Sequence, residues 1–253
     1  MWSEEQFTKL EQEERELTDD AILVMLLILA DLKGNLEKEL RDFYSKYGKD
    51  GVVTYAEARK WISEQDHQRR LTALLLYVSG EFFSVFPKLE THFRMFLTDV
   101  VEKESLFFGV KLDVDKVLSR KWGVDDLYWL ARLEDDVSLW GLYVANDVKR
   151  AILQGKSIDD VIKMLDKRFS NIATVLERLG LTESTAVGSL SRQTIFKELG
   201  ITKYQFYTKP DERRCETCGA MHGLIFPISA YEVGVTASPI HPRCRCWEVP
   251  IRD

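Results

Sequence analysis

Along the first 200 residues, apolar side chains recur every three or four positions, a spacing that places them on one face of an α-helix. The spacing is regular in LDVDKVLSRKWGVDDLYWLARL (residues 112–133) and in SIDDVIKMLDKRFSNIATVLERLG (residues 157–180). Only one proline, Pro87, occurs in this part of the sequence. The pattern therefore predicts an almost continuous series of helices up to about residue 200.

Local capping signals predict where several of these helices begin and end. Thr54 followed by Glu57 fits a capping box, in which the two residues satisfy each other's free backbone amides. Ser157 precedes two aspartates, whose charges suit the positive end of a helix dipole. Glycines that favour a left-handed backbone predict helix ends at Gly48/Gly51, Gly155, Gly180 and Gly200.

The pattern changes after Gly200. Five of the six prolines lie between Pro210 and Pro250, and short runs of aromatic and β-branched residues replace the helical spacing. The runs KYQFYT, GLIFPI and CWEVPI are bounded by turn residues and predict strands. We therefore expect a mainly α protein, in which an elongated helical body is followed by a small α+β C-terminal module with short strands at residues 201–253.

The longest apolar run, AILVMLLILA at residues 21–30, is the strongest candidate for a membrane segment. Ten helical residues span about 15 Å, which is half of a bilayer core, so we expect a buried core helix and no membrane partner. The N-terminal sequence MWSEEQFTKLEQEERELTDD is polar and acidic, unlike a secretory signal. We therefore expect synthesis in a reducing cytoplasm.

Composition and charge narrow the function classes further. The 253 residues are 45% hydrophobic and 30% charged, with a formal net charge of −6. A globular chain of this length buries a core without disulfides, and its acidic balance argues against a nucleic-acid surface over the whole molecule. The sequence contains no P-loop, G-x-G-x-x-G, H-E-x-x-H or nucleophile-elbow motif, so we do not expect an enzyme.

All four cysteines lie in the last forty residues, which indicates a metal site in a reducing compartment. Tetrahedral zinc takes four ligands, usually from two tight pairs. Five residues compete for these four positions: Cys215 and Cys218 of a C-x-x-C pair, then His241, Cys244 and Cys246 of HPRCRC. The first pair and Cys244 are the firmest candidates, His241 and Cys246 compete for the last position, and His222 is a weaker sixth.

Competing roles for the cysteines fit the pattern less well. Packing cysteines do not normally collect in one segment, and a redox C-x-x-C is expected at a strand-to-helix junction of a thioredoxin-like fold. A disulfide requires that the protein leave the cytoplasm. Catalytic zinc keeps one position open for water, whereas soft ligands are here in excess. The residues alone therefore favour a structural zinc ion as cofactor, and no catalytic residue is assigned.

Taken with the residues before it, the cluster resembles the C-terminal domain of phage Mu protein F-like minor head proteins, also called phage head morphogenesis proteins. Thr182-Glu183 on a helix and a turn at Asp211–Arg213 match the family in order. The C-x-x-C pair, the hydrophobic strand at Gly223–Phe226 and the closing HPxCRC complete the match. The resemblance covers about residues 136–250.

This resemblance implies a helical N-terminal region at residues 1–135 and a head morphogenesis domain at residues 136–253. The chain departs from the family at Met221-His222-Gly223, where Leu-Asp-Gly is common. Only seven residues follow Cys246, so a fused toxin or enzyme domain is not expected.

The function that the resemblance implies is a minor capsid protein of a tailed phage or prophage. Such a protein associates with the portal protein, the scaffold or the major capsid protein during head assembly. It is made in the host cytoplasm and ends in the virion, in the head interior near the portal. The helical region would dock on portal or scaffold, and the tail would contact double-stranded DNA or capsid.

Four arginines flank the cysteine pairs and are candidate phosphate contacts, although a solvated surface explains them more simply: Arg213, Arg214, Arg243 and Arg245. Two further function classes stay open. One is a zinc-dependent DNA-processing enzyme of nuclease type, although the paired histidines and metal-holding asparagine of HNH nucleases are missing. The other is a plain nucleic-acid-binding adaptor, which predicts binding that weakens steeply with salt.

Overall fold

The computed structural model describes residues 4–209 and 211–251. The mainly α fold with a small C-terminal sheet is confirmed. The helices are α1 Glu4–Tyr47, α2 Tyr55–Ser63, α3 Gln65–Phe108, α4 Val114–Leu118, α5 Trp129–Leu153, α6 Ile158–Glu198 and α7 Glu216–Met221, and a 3-10 turn lies at Ile228–Ala230. The strands are β1 Lys203–Thr208, β2 Ile225–Pro227 and β3 Cys246–Ile251.

The predicted helix starts are confirmed. The hydroxyl of Thr54 accepts the backbone N–H of Glu57 at 3.3 Å, and Glu57 accepts the N–H of Thr54 at 3.0 Å, which completes the capping box. At the start of α6, Ser157 Oγ accepts the N–H of Asp160 at 3.2 Å. Each side chain satisfies an amide that has no partner within the helix.

Three of the glycine signals mark helix ends, and one does not. Gly51, Gly155 and Gly200 have φ between 66° and 74° and follow α1, α5 and α6. Gly180 lies inside α6, so the predicted end at this residue is wrong. A Cβ on Gly180 would lie 3.0 Å from Cγ1 of Ile22, so close helix packing rather than a turn requires glycine here.

The apolar run at residues 21–30 is an amphipathic part of α1, so the predicted core helix is buried on one face only. Ile22 and Met25 are buried, whereas Leu23 and Leu27 are more than half exposed. One face packs and the other meets solvent, as the helical spacing of apolar positions allows. Among the described residues, no helix is long and apolar enough to span a bilayer.

The chain divides into two compact units. The first comprises the residues up to 23, residues 91–132 and the residues from 176 onward. Aromatic rings form much of its helical core: Phe93 stacks on Trp129 with ring centroids 5.7 Å apart, and Phe108 meets Phe196 edge to face at 5.6 Å.

The second unit comprises residues 24–90 and 133–175. At its centre the rings of Phe82 and Phe169 lie 5.9 Å apart. A Cβ on Gly141 would lie 3.2 Å from Cβ of Phe82, so a glycine permits the close approach of α5 to α3. The predicted division between residues 135 and 136 stays a prediction.

The C-terminal sheet has the order β2-β1-β3, and both neighbours of β1 are antiparallel to it. The strands predicted from KYQFYT and CWEVPI are confirmed over their full lengths, and the GLIFPI strand is shorter. Tyr204 pairs with Phe226 on one side, and Thr208 pairs with Cys246 on the other. The register therefore brings the end of β1 next to the last cysteine.

A buried arginine joins this sheet to the helices of the first unit. Arg192 on α6 is 1% exposed and pairs with four carboxylates from three other elements, namely Glu11, Glu14, Glu104 and Glu248. Burial raises the pKa of Glu104 to about 7 against the opposing effect of Arg192, and burial likewise raises the pKa of Glu14. One cation thus holds α1, α3 and β3 against α6.

Candidate metal centre

The first pair of cysteines is held by the start of a short helix. Cys215 is the N-cap residue of α7, and its sulfur accepts the backbone N–H of Cys218 at 3.3 Å. Burial raises the pKa of the Cys215 thiol, but the N–H of Cys218 and the nearby His241 lower it more, so the net shift is downward. The turn therefore directs two sulfurs to one side and favours the thiolate of the first.

The second pair is formed by a tight turn before β3. The carbonyl oxygen of His241 accepts the N–H of Cys244 at 3.1 Å, and Arg243 between them has a φ of 60°. The Nδ1 atom of His241 lies 2.8 Å from the carbonyl oxygen of Pro242. If Nδ1 carries the proton and donates it to this carbonyl, Nε2 keeps a free lone pair, as in metal-bound histidines.

The two pairs meet. His241 Nε2 lies 3.2 Å from the sulfurs of both Cys215 and Cys218, and Cys218 Sγ lies 3.8 Å from Cys244 Sγ. Two sulfurs bound to one tetrahedral zinc ion at about 2.3 Å are about 3.8 Å apart. The spacing of the Cys218 and Cys244 sulfurs is therefore that of two ligands to a common ion, whereas the contacts of His241 have hydrogen-bond lengths.

The donor atoms form two trios that share one member. Cys215, Cys218 and His241 form the first, and Cys218, Cys244 and Cys246 the second; within each trio the donor atoms lie within 4.8 Å of one another. The structure thus places the five sequence-predicted ligands in two overlapping clusters, each of which could hold a metal ion. Cys218 is central to both trios.

The second trio of the cluster is buried. Cys218, Cys244 and Cys246 are each at most 2% exposed and pack around Phe206. Hydrogen bonds from the thiols of Cys218 and Cys246 lower the pKa of Cys244 to about 2, and the pKa values of these two donors are raised. In the absence of a metal, the thiolate of Cys244 is therefore favoured, and Cys218 and Cys246 keep their protons because several buried anions would repel one another.

Helix α6 holds the second turn in place. The hydroxyl of Thr182 accepts the backbone N–H of Arg243 at 3.1 Å, and the hydroxyl of Thr185 lies 3.1 Å from the carbonyl oxygen of Cys244. The Arg243 side chain pairs with Glu177 one turn earlier on α6, at 3.1 Å. These contacts fix the backbone between the second pair of candidate ligands.

A bidentate ion pair ties the two turns to each other. Asp211, before the first pair, accepts both terminal nitrogens of Arg245 in the second, one of them at 2.6 Å. It also accepts the N–H of Arg213 at 3.0 Å. The hydrogen bonds from Arg245 hold the pKa of Asp211 at about 2. The Asp-Glu-Arg turn at Asp211–Arg213, one of the features shared with the resembled family, thus links the two turns that carry the candidate ligands.

The four candidate phosphate-binding arginines do not form one cationic surface. Arg243 and Arg245 already pair with carboxylates, and Arg213 and Arg214 are exposed. Arg213 and Arg245 line a cleft of about 330 Å³ in which basic and acidic side chains alternate: Arg15, Lys209, Glu11, Glu16 and Asp19. The mixed charge of this cleft weakens a phosphate role for these arginines.

Two further residues of the motif have roles outside the cluster. The Nδ1 atom of His222 accepts the N–H of Thr208 at 3.2 Å, so this histidine supports β1. Glu183 is buried and accepts hydrogen bonds from Trp122 and Arg132, each at 2.9 Å. Burial raises the pKa of Glu183 to about 7, although Arg132 and Trp122 lower it. The Thr-Glu pair therefore anchors α6 on one side and the ligand turn on the other.

Sequence reasoning missed Thr185 and the partners of Glu183. Thr182 and Thr185 are three residues apart on α6, so they share a face, and this spacing is the signal that relates them. No local pattern connects Glu183 with Trp122 and Arg132, because their contact arises only from the tertiary fold.

The fold and the cluster define a helical protein whose C-terminal Cys/His module could hold a metal ion. A protein-family model described as phage Mu protein F like protein matches residues 143–249, which include both ligand turns. This region is therefore similar to the phage Mu protein F-like family, which supports the resemblance seen in the sequence. No curated protein and no solved structure matches the chain.

Proposed function

We infer that the protein is a minor head protein of a tailed phage or prophage, whose C-terminal module is stabilised by one structural zinc ion. The observation that supports this most strongly is the family match over residues 143–249, because it contains the whole Cys/His cluster. The candidate metal ligands and the family match therefore lie in the same segment of the chain.

The zinc ligands in this proposal are Cys215, Cys218, His241 and Cys244. The pairs Cys215/Cys218 and His241/Cys244 share an i, i+3 spacing, and each is closed by a hydrogen bond to the N–H of its second member. The Nδ1 contact of His241 with Pro242 leaves Nε2 for the metal. Cys246 then packs beside the site at the start of β3.

A structural role for the metal is preferred to a catalytic one. The cluster offers five soft or borderline donors, more than a tetrahedral ion needs, whereas a catalytic zinc ion keeps a position for water. Three of the sulfurs, those of Cys218, Cys244 and Cys246, are buried and pack around Phe206. The proposal therefore includes no enzymatic activity, and the nuclease alternative has no observation in its favour.

The proposed partners follow from the family alone. During head assembly the protein would associate with the portal protein, and with scaffold or major capsid protein. It would end in the head interior near the portal, and double-stranded DNA would be its neighbour after packaging.

Particle composition tests the head role. Purified heads of the parent phage or induced prophage should contain the protein in few copies by quantitative mass spectrometry. Co-expressed portal protein should retain it on affinity resin, whereas co-expressed tail protein should not. Its absence from purified heads, with normal amounts in the cell lysate, would contradict the assignment.

A further inference from the structure

The helical hairpin of α5 and α6 carries a basic groove within the second compact unit. Two helix faces with the same spacing line it. On α5 and in the turn directly after it, the lining residues follow i, i+3, i+4, i+7 and are Asp147, Arg150, Ala151 and Gln154. On α6 they follow the same spacing and are Met164, Lys167, Arg168 and Asn171, and Lys156 of the connecting turn closes one end. Residues at this spacing share one face of a helix.

The charge of the groove is opposite to that of the whole protein. Four cations line it against one carboxylate, Asp147, while the chain has a net charge of −6. The cavity has a volume of about 460 Å³. A concave surface lined by one sign of charge concentrates the electric field and attracts ions of the other sign.

The single carboxylate is already neutralised. Asp147 is 8% exposed at its side chain and accepts Nε of Arg168 at 2.8 Å, while its other oxygen accepts from Arg150. The guanidinium of Arg168 also lies 5.6 Å from the ring centroid of Tyr143. These contacts orient both arginines in the wall of the groove and leave their remaining N–H groups for a further acceptor.

The two lysines of the rim have no such partner. Lys156 and Lys167 are exposed, and within residues 4–209 and 211–251 no carboxylate pairs with either ammonium group. The amide side chains of Gln154 and Asn171 also line the groove and add neutral donors. Lysine, arginine and side-chain amides are the groups that proteins use for phosphate oxygens.

We propose that this groove binds the phosphate backbone of double-stranded DNA. The inference rests on the proposed function, since the duplex packaged in a phage head is the polyanion that such a protein meets. It moves the DNA contact away from the arginines beside the cysteine pairs, because the cleft there contains three carboxylates, whereas the groove contains one. The groove lies in residues 147–171, inside the region matched by the family.

Salt-dependent binding of a fluorescently labelled random-sequence duplex to the full chain tests the proposal. Binding should weaken linearly on a plot of log affinity against log salt. The Lys156→Gln/Lys167→Gln variant should bind more weakly, with a slope shallower by about 2, since each lost phosphate contact removes about one released counterion. Both lysines are exposed, so the thermal unfolding midpoint of this variant should equal that of the wild type.

The Lys209→Gln/Arg213→Gln variant is the matched control, because it removes the same charge from the cleft beside the Cys/His module. It should retain the wild-type slope. The groove assignment would be overturned if DNA affinity fell equally in both variants. It would also be overturned if the salt slope of Lys156→Gln/Lys167→Gln equalled that of the wild type. Neither result affects the head role, which particle composition tests separately. Calorimetry with inorganic pyrophosphate distinguishes a small phosphate ligand from DNA. If the chain binds pyrophosphate but not the duplex, the DNA assignment is rejected.

Discussion

The hydroxyl of Thr182 on α6 accepts the backbone N–H of Arg243 at 3.1 Å, and it donates to the carbonyl oxygen of Arg178 at 2.6 Å. Arg243 lies between His241 and Cys244, so α6 directly supports the turn that carries the second pair of candidate ligands. Both hydrogen-bonding functions of the hydroxyl are used.

Replacing Thr182 with valine should loosen this turn. The change keeps the shape of the side chain but removes the acceptor, which should cost about 1 kcal/mol of unfolding free energy. Zinc affinity should fall by about tenfold, as for other groups that orient metal ligands. Competition with a chelating dye measures the affinity, and denaturant unfolding measures the stability. Thr182→Ser keeps the hydroxyl and should behave as the wild type; equal affinity in the valine variant would contradict the supporting role.

Cobalt substitution can separate the two candidates for the fourth ligand. Cobalt in a site with thiolates gives charge-transfer absorption that grows with the number of bound sulfurs. In Cys246→Ser this absorption and the metal stoichiometry should stay unchanged, because the proposed ligand is His241. In His241→Ala the affinity should drop sharply, since the first trio loses its nitrogen donor. A weaker charge-transfer band in Cys246→Ser would instead identify Cys246 as the ligand.

The buried carboxyl of Glu183 should make stability depend on pH. Its pKa is about 7 in the folded chain against an ordinary value of 4.5, so the folded state binds more protons between these values. The contribution of Glu183 to stability should therefore decrease by about 3 kcal/mol as the pH rises from 4.5 through 7. Because zinc binding also depends on pH, the quantity to measure is the difference in unfolding free energy between wild type and Glu183→Gln. A difference that does not vary over this range would show that Arg132 keeps the carboxyl ionised.

The Arg192 network should be far more sensitive to substitution than an exposed ion pair. Arg192→Met leaves Glu104 and Glu248 buried without their cation and should cost about 3–5 kcal/mol. Arg94→Met removes the exposed pair with Asp115 in the same unit and should cost less than about 1 kcal/mol. Denaturant unfolding of the two variants makes the comparison, and equal costs would contradict the central position of Arg192.

Much of the local structure can be predicted from the sequence, because its causes are local. The capping box at Thr54, the helix start at Ser157 and two of the strands depend on neighbouring residues. The sequence also predicts that the two candidate ligand pairs come together, because their spacing is typical of a zinc site. The predicted helix end at Gly180 is wrong because the residue that requires a glycine, Ile22, is distant in the sequence.

The basic groove could not be predicted from the sequence either, because it depends on contacts between two helices. Lys156, Lys167 and Arg168 are scattered among acidic residues, and the local charge is not conspicuous. Only the pairing of the α5 face with the α6 face separates these cations from the aspartates nearby. The signal is the repeated i, i+3, i+4, i+7 spacing on both helices, which composition alone does not reveal.

The metal content of the purified chain tests the central claim most directly. Protein prepared without chelator should contain one zinc ion per chain by elemental analysis, and Cys215→Ser/Cys218→Ser should contain none. That variant should also unfold at a lower temperature, because the ion replaces a hydrophobic core in the small module. Wild-type protein that contains no metal, and whose unfolding is unaffected by added zinc, would contradict the account.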